Sequence, residues 1–134
     1  MSKLKIYIVE DSSLIRENLI DALRESAPVE VVGCAEDERT AVGWLRDAKN
    51  ACDLVIIDIF LKAGSGLGVL KALQNVDEAP RRLVLSNHAT PEIRAKCADL
   101  GAVKVFDKSN ELDAMLAWLT RFARSDLGAA ASHS

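Results

Sequence analysis

Two short stretches of this chain are apolar without a break, Ile6-Tyr7-Ile8-Val9 and Leu54-Val55-Ile56-Ile57. A strand with one face in water alternates apolar and polar side chains, whereas a continuous apolar run suits a strand covered on both faces. The two runs therefore predict inner strands of a parallel sheet held between helical layers. Three further runs, Glu30 to Ala35, Leu83 to Leu85 and Val103 to Phe106, complete a set of five.

Helical spacing fills the gaps. Leu14, Ile15, Leu19, Ala22 and Leu23 recur at three and four after Ser12-Ser13, which can cap. Ala41, Val42, Leu45 and Ala48 repeat the pattern, as do Leu67, Leu70 and Leu73. Thr90-Pro91-Glu92 reads as a helix start: a capping hydroxyl, a proline at the first helical position, then an acid near the positive end of the dipole. Ser109 is the expected cap of the last helix, whose core-facing stripe is Leu112, Leu116, Leu119 and Ala123. Strands alternating with helices five times predict an α/β fold, (βα)5, with a five-stranded parallel sheet, helices on both faces and right-handed crossovers.

The length of 134 residues suits one domain. It is expected to occupy residues 3–124, leaving the small, polar segment 125–134 as a disordered tail. A net charge of −3 argues against nucleic acid and against an anionic membrane surface as partners. No apolar run approaches the ~18 residues that span a bilayer. The start, Met1-Ser2-Lys3-Leu4-Lys5, lacks a signal-peptide pattern, so a cytoplasmic protein is expected. Cys34, Cys52 and Cys97 are odd in number, far apart and without a nearby histidine. They read as small buried hydrophobes, not as a disulfide framework or a zinc site.

Open parallel sheets place their sites at the carboxyl ends of the strands. The first strand delivers Glu10-Asp11, the third Asp58, the fourth Ser86 and the fifth Lys108. Three carboxylates, a hydroxyl and an ammonium would then converge on one rim from across the chain. Carboxylates held close repel one another unless a cation neutralises them. An all-oxygen set without His or Cys suits Mg²⁺.

These pieces resemble a response-regulator receiver domain of two-component signalling, over residue 3 to about 124. The resemblance is carried by Ile8-Val9-Glu10-Asp11-Ser12, Asp53-Leu54-Val55-Ile56-Ile57-Asp58-Ile59, Val84-Leu85-Ser86, Gly101-Ala102 and Phe106-Asp107-Lys108-Ser109, in the family's order and spacing. It implies a flavodoxin-like, doubly wound receiver fold. It also implies that Asp58 accepts a phosphoryl group from a kinase phosphohistidine, and that Glu10, Asp11, Asp58 and the Phe60 backbone carbonyl hold Mg²⁺. Lys108 would pair with the phosphoryl oxygens and Ser86 would hydrogen-bond them. The residues two past the acceptor and two past the switch hydroxyl, Phe60 and His88, would roof the site and modulate the lifetime of the phosphoryl group.

The pattern is departed from in three places. Lys62 stands where many relatives carry proline, so the loop after the acceptor is expected to be less rigid. Asn87 stands where a small residue is usual. Val105 stands where the switch aromatic is usual, and Phe106 beside it faces the other way on a strand, which puts the ordinary signal readout in question.

The implied protein is a stand-alone receiver, not a turnover enzyme, that signals by protein–protein contact. Its partners would be a histidine kinase or phosphotransfer protein and a downstream protein, and its state a monomer or weak homodimer. Met115, Trp118 and Phe122 widen the apolar arc of the last helix. The width fits either a broadly buried helix or a contact patch shared with the fifth strand and the helix after Thr90. One alternative function is a receiver-like adaptor that does not cycle phosphate; the complete set of five site residues argues against it. Another is a flavodoxin-like protein or an aspartate phosphatase. No Gly-rich or Ser/Thr-rich phosphate loop follows the first strand, and no second aspartate stands two past Asp58.

Overall fold

The computed structural model describes residues 3–132, with side-chain surroundings through Ser125. Strands β1 (Leu4–Val9), β2 (Val29–Ala35), β3 (Leu54–Ile57), β4 (Arg81–Ser86) and β5 (Lys104–Asp107) form one sheet in the order β2-β1-β3-β4-β5. Every pairing is parallel. Helices α1 (Ser13–Ser26), α2 (Glu38–Arg46), α3 (Gly66–Leu73), α4 (Pro91–Asp99) and α5 (Leu112–Ser132) connect and flank it. Strand order reverses between β1 and β3, and this switch point opens a crevice at their carboxyl ends.

The continuous apolar runs are buried on both sides, as their composition demands. Along β1, Ile6 and Ile8 join one core with Leu19 and Leu23 of α1 and with Met115, Leu119 and Ala123 of α5. Tyr7 and Val9 join the other, with Ala41 and Leu45 of α2, Leu70 of α3 and Cys97 of α4. Tyr7 stacks on Trp44 at 4.2 Å between ring centroids. A Cβ at residue 33 would lie 2.9 Å from the Tyr7 ring, so glycine is needed there, beside the register shift between β1 and β2.

The caps follow the sequence at two helices. The Ser12 hydroxyl accepts from the Ile15 N–H at 3.3 Å, and the Thr90 hydroxyl accepts from the Ile93 N–H at 3.2 Å with Pro91 at the first turn. Ser109 does not cap α5. Its N–H and hydroxyl both donate to the Asp107 carboxylate, a stronger acceptor close by, and the helix opens later, at Leu112.

Three apolar residues that obey the helical period miss the core. Leu14 is 67% exposed, Ile15 38% and Leu112 37%. They belong to the first turns of α1 and α5. Met115, not Leu112, is fully buried in the α5 stripe, while Leu116, Trp118 and Phe122 are half-buried. Trp118 stacks on Phe122 at 5.0 Å. Cys34 is exposed on β2, contrary to the buried position expected, whereas Cys52 is half-buried and Cys97 buried; all three thiols are free. Burial pushes the Cys52 thiol up to about 12, with Asp53 adding to the shift, so it stays protonated.

Helix α5 continues to Ser132 through the segment expected to be a disordered tail. Ala129, Ala130 and Ala131 are the best helix formers available. Residues 133 and 134 lie outside the described residues. No helix among the described residues is long and apolar enough to cross a membrane.

Candidate functional site: an acidic pocket at the sheet's carboxyl edge

The Asp58 N–H donates to the Val9 carbonyl at 3.0 Å, which carries the β1–β3 ladder one step past the strands and sets Asp58 beside Glu10. Glu10 is 3% exposed and Asp58 7%. One carboxylate oxygen from each of Glu10, Asp11 and Asp58 lies within 4.8 Å of the others. Just past β5, the Lys108 ammonium reaches the Asp58 carboxylate at 2.9 Å and also pairs with Glu10.

Burial pushes Glu10 above the usual carboxylate range and the Asp58 charge adds to it, while Lys108 and the Ser12 N–H pull the other way. Burial acts to lower the pKa of Lys108, but its bonds to Glu10 and Asp58 outweigh that, and the ammonium is held in its charged form. One ammonium cannot neutralise three carboxylates. The pocket is left with a residual negative charge and an all-oxygen donor set, which fits a hard divalent cation such as Mg²⁺.

The loop after Asp58 is tied down, contrary to the looseness expected from Lys62. The Lys62 N–H donates to the Asp11 carboxylate at 2.8 Å, a bond that proline could not make. The Ser65 N–H donates to Glu38 of α2 at 2.9 Å, and the Gly66 N–H to the Ile59 carbonyl at 2.9 Å. Gly66 is required by space, since a Cβ there would sit 2.2 Å from the Asp58 carbonyl oxygen. On the other side, Arg16 donates to the Glu10 carbonyl at 3.0 Å and pairs with Glu36 at 3.3 Å. Arg16, Glu38 and the Lys62 N–H were not legible in the sequence. A backbone donor has no residue signature, and surface charges on helices are common.

Ser86 is fully buried at the end of β4. Its hydroxyl oxygen accepts from the His88 N–H at 3.1 Å, which leaves its own proton free to donate, and its carbonyl accepts from the Lys108 N–H at 2.9 Å. Phe60 is 53% exposed, and its ring meets His88 edge-on at 5.2 Å, so the two expected roofing residues touch. Val105 packs against the α4 core and Phe106 against the α5 core, on opposite faces of β5. Phe106 therefore does not take over the position of Val105.

The sequence profile of the response regulator receiver domain matches residues 6–120. The chain belongs to the response-regulator receiver domain family. The receiver is 26% identical to the signal receiver domain of the response regulator NarL from Mycobacterium tuberculosis, with a TM-score of 0.74 over 87% of this chain and 96% of that one. The response regulator domain of Thermotoga maritima CheB shares the fold at a TM-score of 0.77 and 22% identity, over 92% of this chain and 96% of the other. Among curated relatives, a protein-glutamate methylesterase/protein-glutamine glutaminase of Desulfotalea psychrophila is 31% identical over 113 residues, 83% of this chain and 30% of the relative. The receiver thus spans about a third of the length of several curated relatives it matches.

Proposed function

We propose that Asp58 accepts a phosphoryl group from a phosphohistidine of a histidine kinase or phosphotransfer protein, and that the receiver acts through protein contacts as a phosphoacceptor without catalytic turnover. A cytoplasmic location belongs to the same reading. The observation that carries it is the Lys108 ammonium bridging Asp58 and Glu10 beside Asp11. In the step, an Asp58 carboxylate oxygen attacks phosphorus and the bond to the donor imidazole breaks. The electron pair leaves with the imidazole nitrogen, and the product is an acyl phosphate. Lys108 takes up charge on the phosphoryl oxygens, and the Ser86 hydroxyl has a free proton to donate to them. Glu10, Asp11, Asp58 and the Phe60 carbonyl would hold Mg²⁺, which when bound neutralises phosphoryl charge. Incubation with acetyl phosphate and Mg²⁺ should add the mass of one phosphoryl group. A receiver-like adaptor would gain none.

A cleft of about 280 Å³ opens next to this pocket, lined by Ile15, Asn18, Leu85, Asn87, Lys108 and Leu112. Its rim carries the exposed Ile15 and Leu112, and apolar side chains left uncovered beside a reactive group suit a docking protein. Ile15→Asp should slow transfer from the phosphodonor protein by about tenfold or more, the size of a lost interface anchor. Labelling by acetyl phosphate, which needs no docking, should stay within about twofold. Equal slowing with both donors would remove the cleft from the reading. The half-buried Trp118 leaves the α5 arc available as a second contact patch, for a downstream protein or a weak homodimer.

Acyl phosphates decay when water reaches phosphorus in line with the aspartyl oxygen. An apolar Phe60 ring held edge-on against His88 would hinder that approach. Phe60→Asn should speed decay by roughly three- to tenfold, a modest barrier change, and His88→Ala should leave the rate nearly flat between about pH 6 and 8. Decay of the purified phosphoprotein in Mg²⁺ buffer measures both. An unchanged rate in Phe60→Asn would place the lifetime control elsewhere.

A further inference from the structure

The sequence leaves the receiver without an aromatic at position 105, and the structure puts an arginine fork against the same stretch of β5. Arg94, in α4, makes three bonds. Its Nε donates to the Ala89 carbonyl at 2.9 Å, one terminal nitrogen to the Val105 carbonyl at 2.8 Å, and the other to Glu111 at 2.6 Å. The same Glu111 oxygen accepts from the Asp107 N–H at 2.9 Å. Ala89 lies in the loop that follows Ser86, and Asp107 precedes Lys108. One guanidinium and one carboxylate therefore join both arms expected to grip a phosphoryl group. Arg94 and the Asp107 N–H hold the Glu111 carboxyl below the usual range, so the pair is charged near neutral pH.

Resting on the phosphoacceptor reading, we propose that the Arg94–Glu111 pair is a positioning latch that stands in for the missing aromatic: it holds the Ser86–Thr90 loop to β5 in the unphosphorylated protein and yields when the phosphoryl group draws the Ser86 hydroxyl inward. The Ser86 hydroxyl is linked through its bond from His88 to the residue adjoining Ala89. Inward movement of Ser86 pulls the Ala89 carbonyl away from Arg94, and the strain reaches Val105 and Glu111 through the same fork. A planar guanidinium carries its donors on three separate nitrogens and so reaches three spread acceptors in a fixed geometry, whereas a lysine ammonium offers all its donors from one nitrogen on a flexible stem. Phosphorylation is thus transmitted to the α4–β5–α5 side, and α5 begins one residue past Glu111.

A contact made only in the resting state opposes the change to the other state, so removing it must tighten the binding of any ligand that favours that other state. The test is titration of the whole receiver with beryllofluoride, a phosphoryl mimic, in Mg²⁺ buffer, read by heat or by the rise in melting temperature. Arg94→Gln and Glu111→Gln should each bind it about three- to tenfold more tightly than the parent. Arg94→Lys, which keeps the charge and loses the fork, should tighten binding nearly as much as Arg94→Gln. A role limited to stability would lower the melting temperature of the free protein and leave this affinity unchanged or weaker. That result in Glu111→Gln and Arg94→Gln overturns the latch, and so does a parent-like Arg94→Lys. A parent protein that takes up no beryllofluoride overturns the phosphoacceptor reading, and the latch with it.

Discussion

Asp58→Asn is expected to abolish phosphoryl uptake and to leave the fold intact with a higher melting temperature. The amide has the shape of the carboxylate but lacks a nucleophilic oxygen, so no acyl phosphate forms. The stability change follows from charge. In the parent, Lys108 is shared by Glu10 and Asp58, both almost fully buried, and Glu10 is pushed up by burial and by the Asp58 charge. Removing one of two buried negative charges leaves Lys108 and Glu10 as a neutral pair, and the amide oxygen can still accept from Lys108 or from the Phe60 N–H. Relief on the order of 1 kcal/mol corresponds to about 3–5 °C for a domain of this size. Mass measurement after acetyl phosphate and a melting curve in the same buffer check both halves. Stoichiometric labelling of the variant would move the acceptor away from Asp58. A melting temperature lowered by several degrees would mean that the carboxylate holds the pocket together.

The residues that proved easiest to place from sequence are those whose position follows from a sheet's own geometry. Ile6 to Val9 and Leu54 to Ile57 had to be buried on both faces, and the residue ending each run had to emerge at the carboxyl edge. Glu10, Asp58, Ser86 and Lys108 were therefore legible together. Periodicity carries no information about where a sheet stops, so Leu14, Ile15 and Leu112 obey the helical spacing and yet lie uncovered. Composition also misassigned Ser109, because the serine that can cap a helix can equally donate to a nearer carboxylate, here Asp107. The loop after the acceptor was misread for a third reason. Proline stiffens a chain by fixing φ, and its absence suggested slack. The residue in its place has a backbone N–H, and that donor ties the loop to Asp11. Arg94 was hidden because its acceptors at 89, 105 and 111 are two carbonyls and one carboxylate that only the fold brings together.

That loop contact also decides which carboxylate should matter most for metal binding. Glu10 is paired with Lys108 and accepts from the Ser12 N–H, and Asp58 is paired with Lys108 and accepts from the Phe60 N–H. Asp11 meets only the neutral Lys62 N–H among the described residues, through one oxygen. It is the one member of the trio with no cation on it, and its second oxygen is free of any protein donor among those residues. A divalent ion must share Glu10 and Asp58 with Lys108 but gains the Asp11 charge undivided. Asp11→Ala is accordingly expected to weaken Mg²⁺ or Mn²⁺ binding by about tenfold or more, a loss on the scale of one charge-assisted contact. Glu10→Gln should weaken it less. Asp11→Asn separates the two roles of this side chain, since its amide oxygen can still accept from Lys62 but carries no charge. If the ion is held by charge, Asp11→Asn binds as poorly as Asp11→Ala. If the carboxylate acts mainly by fixing the loop and the Phe60 carbonyl, Asp11→Asn recovers most of the affinity. Calorimetric titration of the unphosphorylated protein distinguishes these outcomes, and an affinity unchanged in Asp11→Ala would show that the acidic pocket is not the metal site.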